Sequence, residues 1–313
     1  MPPGFTPSPS ACRGPTPPIA CALNDSIARR VLELVAPKHA LQGAWCWLAL
    51  GSEGRLEQTL ATDQDNALIF SAEADVEAAR RVFLDFAREA NAALDACGFP
   101  LCKGNVMASN PELCLSLEEW KAKMAGWIDA ALPKALLDAA ICFDFRPLYG
   151  DAPLAAGLRD WVSARVKTQP AFLRHMAQAA LQARPGLTRF GGFAGGGASG
   201  ALNLKLQGAR IFIDAARIYA LALGVTQTNT AERLRALRDA RTLSAPDVAA
   251  AIDAFYLIQR LRLEAQALLH EGGREAANRI VPADLSRLVQ SCLKEALRIA
   301  RDLQKRLSLD YQL

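Results

Sequence analysis

Apolar and polar positions along this chain follow two regimes. Up to about residue 150, apolar runs of strand length alternate with helical patterns; beyond it the helical period is almost continuous. Ala44-Trp45-Cys46-Trp47-Leu48-Ala49-Leu50 is an apolar run that stops at Gly51, which predicts a buried strand and a tight turn. Asn66–Phe70 is a second such run, and the polar stretch from Ser52 to Asp65 lies between them. Before them, Asn24, Asp25 and Ser26 offer N-caps for a helix through Ile27, Val31, Leu32 and Val35, stopped by Pro37. Residues 73–97 carry Val76, Ala79, Val82, Phe83 and Phe86 at helical spacing and end at Gly98-Phe99-Pro100. A loop or short strand is expected over 101–111, and a helix capped by Ser116 through Trp120 and Trp127. Ala139–Phe145 has the pattern of a third strand carrying one acid, Asp144.

From residue 151 the pattern predicts helices over 153–166, 170–182, 203–223, 229–240, 245–270 and 283–308. Gly191–Gly200, a run of glycine, alanine and serine, interrupts them; it lacks the GxxxxGK[ST] pattern of a phosphate loop and is expected to connect helical elements. The expected plan is a leader over 1–23, an N-terminal domain of mixed strands and helices over 24–150, and an all-helical domain over 151–313.

Composition narrows the function. A net charge of +4 is too mild to make nucleic acid the main partner. The Pro/Ser/Thr-rich start has no basic segment followed by an apolar one, so it predicts a disordered leader and no secretory signal. No apolar stretch has the length of a membrane span, and a cytoplasmic protein is expected. Eight cysteines without a CxxC, beside three histidines, read as small buried apolar residues; a zinc set from Cys97, Cys102 and Cys114 is not expected.

The chemistry concentrates in Leu50–Phe70. Asp63 and Asp65 are two apart, which on a strand turns both carboxylates to one face, where they can share a hard divalent cation. Gly51 lets the backbone approach a phosphate, Ser52 offers a hydroxyl or N–H there, and Arg55 matches a triphosphate with its planar fork. Glu57 is placed to orient Arg55 or a ligand. Asp144, between Phe143 and Phe145, is either a third metal ligand or the partner of Arg146 in an ion pair. Two metal ions close together would serve the attacking and leaving oxygens of a nucleotidyl transfer.

At these residues the chain resembles the DNA polymerase beta-type nucleotidyltransferases. The string GSEGRLEQTLATDQDNALIF looks like the nucleotidyltransferases of bacterial signalling proteins that often carry CBS or cyclic-nucleotide-binding domains, similar to the nucleotidyltransferase domain of the PII uridylyltransferase. The likeness continues through Gly104–Asn110, Trp120 and Phe143–Asp151, and into Asn203-Leu204-Lys205, Asp214–Arg217, Asn229–Arg233 and Leu261–Leu263. It implies an α+β fold: a small polymerase-beta-like domain with a mixed sheet, then a helical bundle that presents the acceptor. It implies Asp63, Asp65 and Asp144 as catalytic ligands of Mg²⁺ or Mn²⁺, with Gly51, Ser52 and Arg55 at the triphosphate; the residues themselves add Glu57 and Lys205 as nucleotide-binding candidates. The expected reaction moves UMP or AMP from a nucleoside triphosphate to a protein acceptor, without membrane or specific nucleic acid as partner. The alternatives are a catalytically silent nucleotide-binding regulator and a small-molecule nucleotidyltransferase. Asn203 departs from the acid expected two residues before Lys205, and Lys205 reads either as a phosphate ligand or as a snorkelling lysine.

Overall fold

The computed structural model describes residues 18–60, 62–72, 75–130, 140–196, 200–271 and 278–313. The chain divides into two compact units. One comprises Pro17–Gln58 and Thr62–Phe172, and the main part of the other is Leu173–Leu313.

The first unit is built on a four-stranded mixed sheet in the order β3-β2-β1-β4. Its strands are β1 (Trp45–Ala49), β2 (Asn66–Phe70), β3 (Cys114–Ser116) and β4 (Arg146–Gly150). β1 pairs antiparallel with β2, Trp47 opposite Leu68 and Ala49 opposite Asn66, and antiparallel with β4 on its other side. β3 joins β2 in parallel. Both central strands are apolar apart from Asn66 at the start of β2, because both of their faces are covered. Trp45, Trp47 and Ala49 with Leu68 and Phe70 pack on a core that includes Leu32 and Val35 of α1 (Pro18–Val35) and Phe83, Phe86 and Ala90 of α3 (Val76–Ala96). The alternate residues Cys46, Leu48, Ala67 and Ile69 are as deeply buried; α4 (Leu117–Ala130) contacts β2 and β3, and α5 (Ala152–Lys167) contacts β1, β2 and β4. A four-residue turn of helix, α2 (Gly51–Gly54), leaves the end of β1.

Local chemistry sets several boundaries. Asp75 caps α3 by accepting from the Ala78 N–H. Ser116 and Glu119 form a reciprocal capping box at the start of α4, the Ser116 N–H and hydroxyl donating to the Glu119 carboxylate. α1 begins at Pro18, one and a half turns before the cap expected near Asn24.

The third strand is the main correction to the sequence pattern. Residues 140–142 are helical and 143–144 form a turn; the strand begins only at Arg146. Cys142, Phe143, Asp144 and Phe145 are all buried, so the segment is enclosed all round and shows no strand alternation. Residue 139 lies outside the described residues. β3, three residues long, is too short for periodicity to reveal.

The second unit is helical: α6 (Pro170–Ala180), which begins just before it, then α7 (Arg210–Leu223), α8 (Thr230–Asp239), α9 (Ala245–Glu271) and α10 (Arg287–Asp310). α9 and α10 pack along each other, with Phe255, Ile258, Leu261, Leu293 and Leu297 in the core. α7 ends at Gly224, whose left-handed backbone (φ 71°) closes the helix. A short strand, Leu202–Asn203, and a π-helical turn, Lys205–Ala209, precede α7; the strand pairs antiparallel with Arg279–Ile280, which follows α9. The glycine-rich run is a loop whose described part holds the isolated bridges Leu187–Phe193 and Gly196–Ala201; residues 197–199 lie outside the described residues. Buried Arg262 and Gln266 both donate to the side-chain oxygen of Asn278, and Arg262 also donates to Gln259. This network ties the segment after α9 to the bundle core.

Candidate active site

The site forms where β1 ends and β2 begins. The ladder runs out at Ala49–Asn66, and one more bond follows, from the Leu50 N–H to the Asp65 carbonyl (2.9 Å). The chain then turns at Gly51 with φ +52°, a conformation that favours glycine. A Cβ on Gly51 would lie 3.1 Å from Asp65 Oδ2, so the turn runs directly past that carboxylate. Gly54 is required for clearance: a Cβ there would fall 1.8 Å from the Asp144 carbonyl oxygen and 2.8 Å from that of Ala49. The two glycines press the Gly51–Gly54 turn between the sheet and the segment around Asp144.

Asp63 and Asp65 precede β2 but keep its extended alternation. Gln64, between them, points inward. Its amide donates to the carbonyls of Asn91 (2.9 Å) and Phe99 (2.8 Å) and accepts from the Asn91 amide (2.6 Å). The same Asn91 amide donates to Asn66 Oδ1 (3.0 Å), which also accepts from the Ala108 N–H (2.8 Å). With residues 64 and 66 locked inward, period two leaves 63 and 65 on the other face. The N–H groups of Gln64 and Asn66 donate to the carbonyls of Pro100 and Val106, stitching the loop after α3 alongside.

That loop delivers a donor the sequence pattern did not single out. One carboxylate oxygen each of Asp63 and Asp65 and the Cys102 sulfur lie within 4.8 Å of one another. Asp63 is exposed, while Asp65 and Cys102 are half-buried. Cation–ligand bonds of about 2.0–2.6 Å span donors up to roughly 4–5 Å apart, so this trio fits a single divalent ion with little movement. Cys102 therefore departs from the expectation that the cysteines are buried apolar residues, as do exposed Cys97 and half-buried Cys292. The signal available in sequence was the loop itself, Cys102-Lys103-Gly104-Asn105, whose glycine and asparagine promise a tight turn.

Arg55, Glu57 and Asp144 make a second group, and it is buried. The Arg55 guanidinium donates through Nε to Glu57 Oε2 (2.7 Å) and through one terminal nitrogen to Asp144 Oδ2 (2.7 Å). The Asp144 carboxylate has no exposed surface. It is not aligned with Arg146, because Asp144 sits in the turn before the strand; Arg146 reaches instead to Asp25 (2.6 Å) and the Glu53 carbonyl. Of the three expected carboxylates, then, two converge with Cys102, and the third is held by Arg55.

Glu53, inside the turn, is buried. Burial pushes its carboxyl up to about 8, with Asp25 and Asp65 adding to the rise and Arg146 opposing it. Ser52 is half-buried, and its carbonyl accepts from the Glu57 N–H. Lys205, in the helical unit, is exposed at the start of the π-helical turn and makes no ion pair among the described residues. Asn203 acts locally, its side chain accepting from the Leu206 N–H.

Two family models match the chain. Residues 18–134 match the family described as putative nucleotidyltransferase DUF294, and residues 170–311 match the putative nucleotidyltransferase substrate binding domain that goes with it. The chain belongs to this nucleotidyltransferase family. Its first model covers the Gly51 turn, Asp63, Asp65 and Cys102; its second covers Lys205 and most of the helical unit. No curated protein matches the chain. Among the described residues no helix is long and apolar enough to cross a membrane.

Proposed function

We propose that the protein transfers a nucleoside monophosphate, UMP or AMP, from a nucleoside triphosphate to a hydroxyl of a protein acceptor. The observation that carries this reading is the meeting of Asp63 and Asp65 beside the Gly51 turn, within a family of nucleotidyltransferases. In the reaction the acceptor oxygen bonds to the α-phosphorus, the bond from that phosphorus to the bridging oxygen breaks, and pyrophosphate leaves with the electron pair. The hydroxyl proton passes to solvent or a nearby carboxylate.

Asp63 and Asp65 would hold Mg²⁺ or Mn²⁺, and the cation would supply charge neutralisation at the triphosphate. The chain's own residues position the rest. The backbone and hydroxyl of Gly51-Ser52 face the phosphates, in a turn that Gly54 keeps close to the sheet. Arg55, fixed by Glu57 and Asp144, braces the chain just after that turn from its buried side. Asp144 contributes through Arg55, whose orientation it sets. Lys205 of the helical unit, exposed and without an ion pair among the described residues, has the charge a phosphate ligand needs. Catalysis of this kind is mostly positioning and electrostatics.

The test is incubation of the full chain with each labelled nucleoside triphosphate, Mg²⁺ or Mn²⁺ and candidate acceptors. Label should pass to a protein in the wild type and not in Asp63→Asn. Label on a small molecule would replace the protein acceptor, and nucleotide binding without any transfer would replace the enzyme with a silent regulator.

A further inference from the structure

Among the cysteines, Cys102 has a distinct environment. Cys21, Cys46, Cys114 and Cys142 are buried, and burial pushes the thiols of Cys46 and Cys114 up to about 12. These are core residues with the reactivity of a small apolar side chain. The Cys102 sulfur is half-buried and lies within 4.8 Å of oxygens from Asp63 and Asp65.

The loop holds it there. The Asn105 N–H donates to the Cys102 carbonyl (2.9 Å), and Asn105 takes a left-handed conformation (φ 55°). A Cβ built on Gly104 would lie 3.7 Å from the sulfur, so the loop folds closely around it. The Val106 carbonyl accepts from the Asn66 N–H, so the loop is fastened to the residue beside Asp65. Position points to a ligand role: the sulfur and one oxygen of each carboxylate lie close enough together to share one cation.

We propose that Cys102 is the third protein ligand of the cation held by Asp63 and Asp65. The site then offers two carboxylate oxygens and one sulfur, and takes borderline ions such as Co²⁺ or Zn²⁺ ahead of Mg²⁺. On binding, the metal–sulfur bond forms as the thiol releases its proton to solvent; no oxidation takes place. The proposal rests on the reading of Asp63 and Asp65 as a cation site.

The experiment uses the full metal-free chain titrated with Co²⁺, followed both by calorimetry and by the near-ultraviolet thiolate-to-cobalt charge-transfer band, for wild type, Cys102→Ser and Asp63→Asn. The band should rise to saturation with one bound ion in the wild type. It should vanish in Cys102→Ser, whose Co²⁺ affinity should fall on the order of tenfold or more while Mg²⁺ affinity stays within a few-fold. Co²⁺ bound in an Asp63-dependent way without the band in the wild type would overturn the role of Cys102 and leave the cation site standing. So would a band that survives in Cys102→Ser. Co²⁺ binding that ignores Asp63→Asn, or no binding at all, would overturn the cation site as well.

Discussion

Two groups of acids within one unit have opposite surroundings. Asp144 is fully buried and paired with Arg55, which also holds Glu57. Asp63 is exposed, Asp65 half-buried, and their oxygens converge on each other and on a sulfur. The first arrangement is self-sufficient: each charge has an opposite one at hydrogen-bond distance. The second gathers three negative or potentially negative donors, which is unfavourable in water and favourable around a cation. On the proposed reading the buried group holds its segment against the turn Gly51–Gly54, and the convergent group is where the reaction would be run.

That division is open to attack at each side. The largest effect is expected from Asp63→Asn, which should lower nucleotidyl transfer by roughly 10³-fold while the melting temperature changes little, checked by label transfer and thermal unfolding. Asp144→Asn should show the reverse emphasis. It removes one of the two carboxylates that hold Arg55 while Glu57 remains, and should cost about 1–3 kcal/mol in denaturant unfolding, with activity lost through the fold. Equal loss of stability in both variants would erase the distinction between the groups. Gly54→Ala should cost about 1–3 kcal/mol or more, because its Cβ would overlap the Asp144 carbonyl; crystallography of that variant should find the turn displaced.

The remaining effect concerns pH. Glu53 has its folded carboxyl raised from 4.5 to about 8. Between those values the folded protein keeps a proton that the unfolded chain has released, so stability falls as pH rises through that window and levels off above it. Glu53→Gln should flatten that slope in unfolding curves measured from pH 5 to 8. An unchanged slope would assign the pH dependence to other groups.

Much of this was legible from residue types alone. The apolar run to Gly51, the Asp-x-Asp before Asn66 and the helical texture after residue 151 all depend on local periodicity, and local periodicity survives folding. Arg55 and Glu57, two residues apart, were placed to meet, and their side chains do. What escaped was long-range. Cys102 reaches Asp63 and Asp65 only because Gln64 and Asn66 are bonded to a loop more than thirty residues later in the chain. Asn91, on α3, locks that geometry from a helix face that reads as ordinary core. The run Ile141-Cys142-Phe143-Asp144-Phe145 imitates a strand because a fully enclosed turn is as apolar as one. The ion pair that was one of the two alternatives for Asp144 is made with Arg55, eighty-nine residues away, and not with Arg146.

The central claim is a divalent cation between Asp63 and Asp65. Crystals of the full chain grown with Mn²⁺ and a non-hydrolysable nucleoside triphosphate, measured for the anomalous signal of manganese, test it most directly. The account predicts a peak among Asp63, Asp65 and Cys102 with phosphate oxygens beside Gly51 and Ser52. A triphosphate bound elsewhere, or manganese ligated without either aspartate, would contradict it.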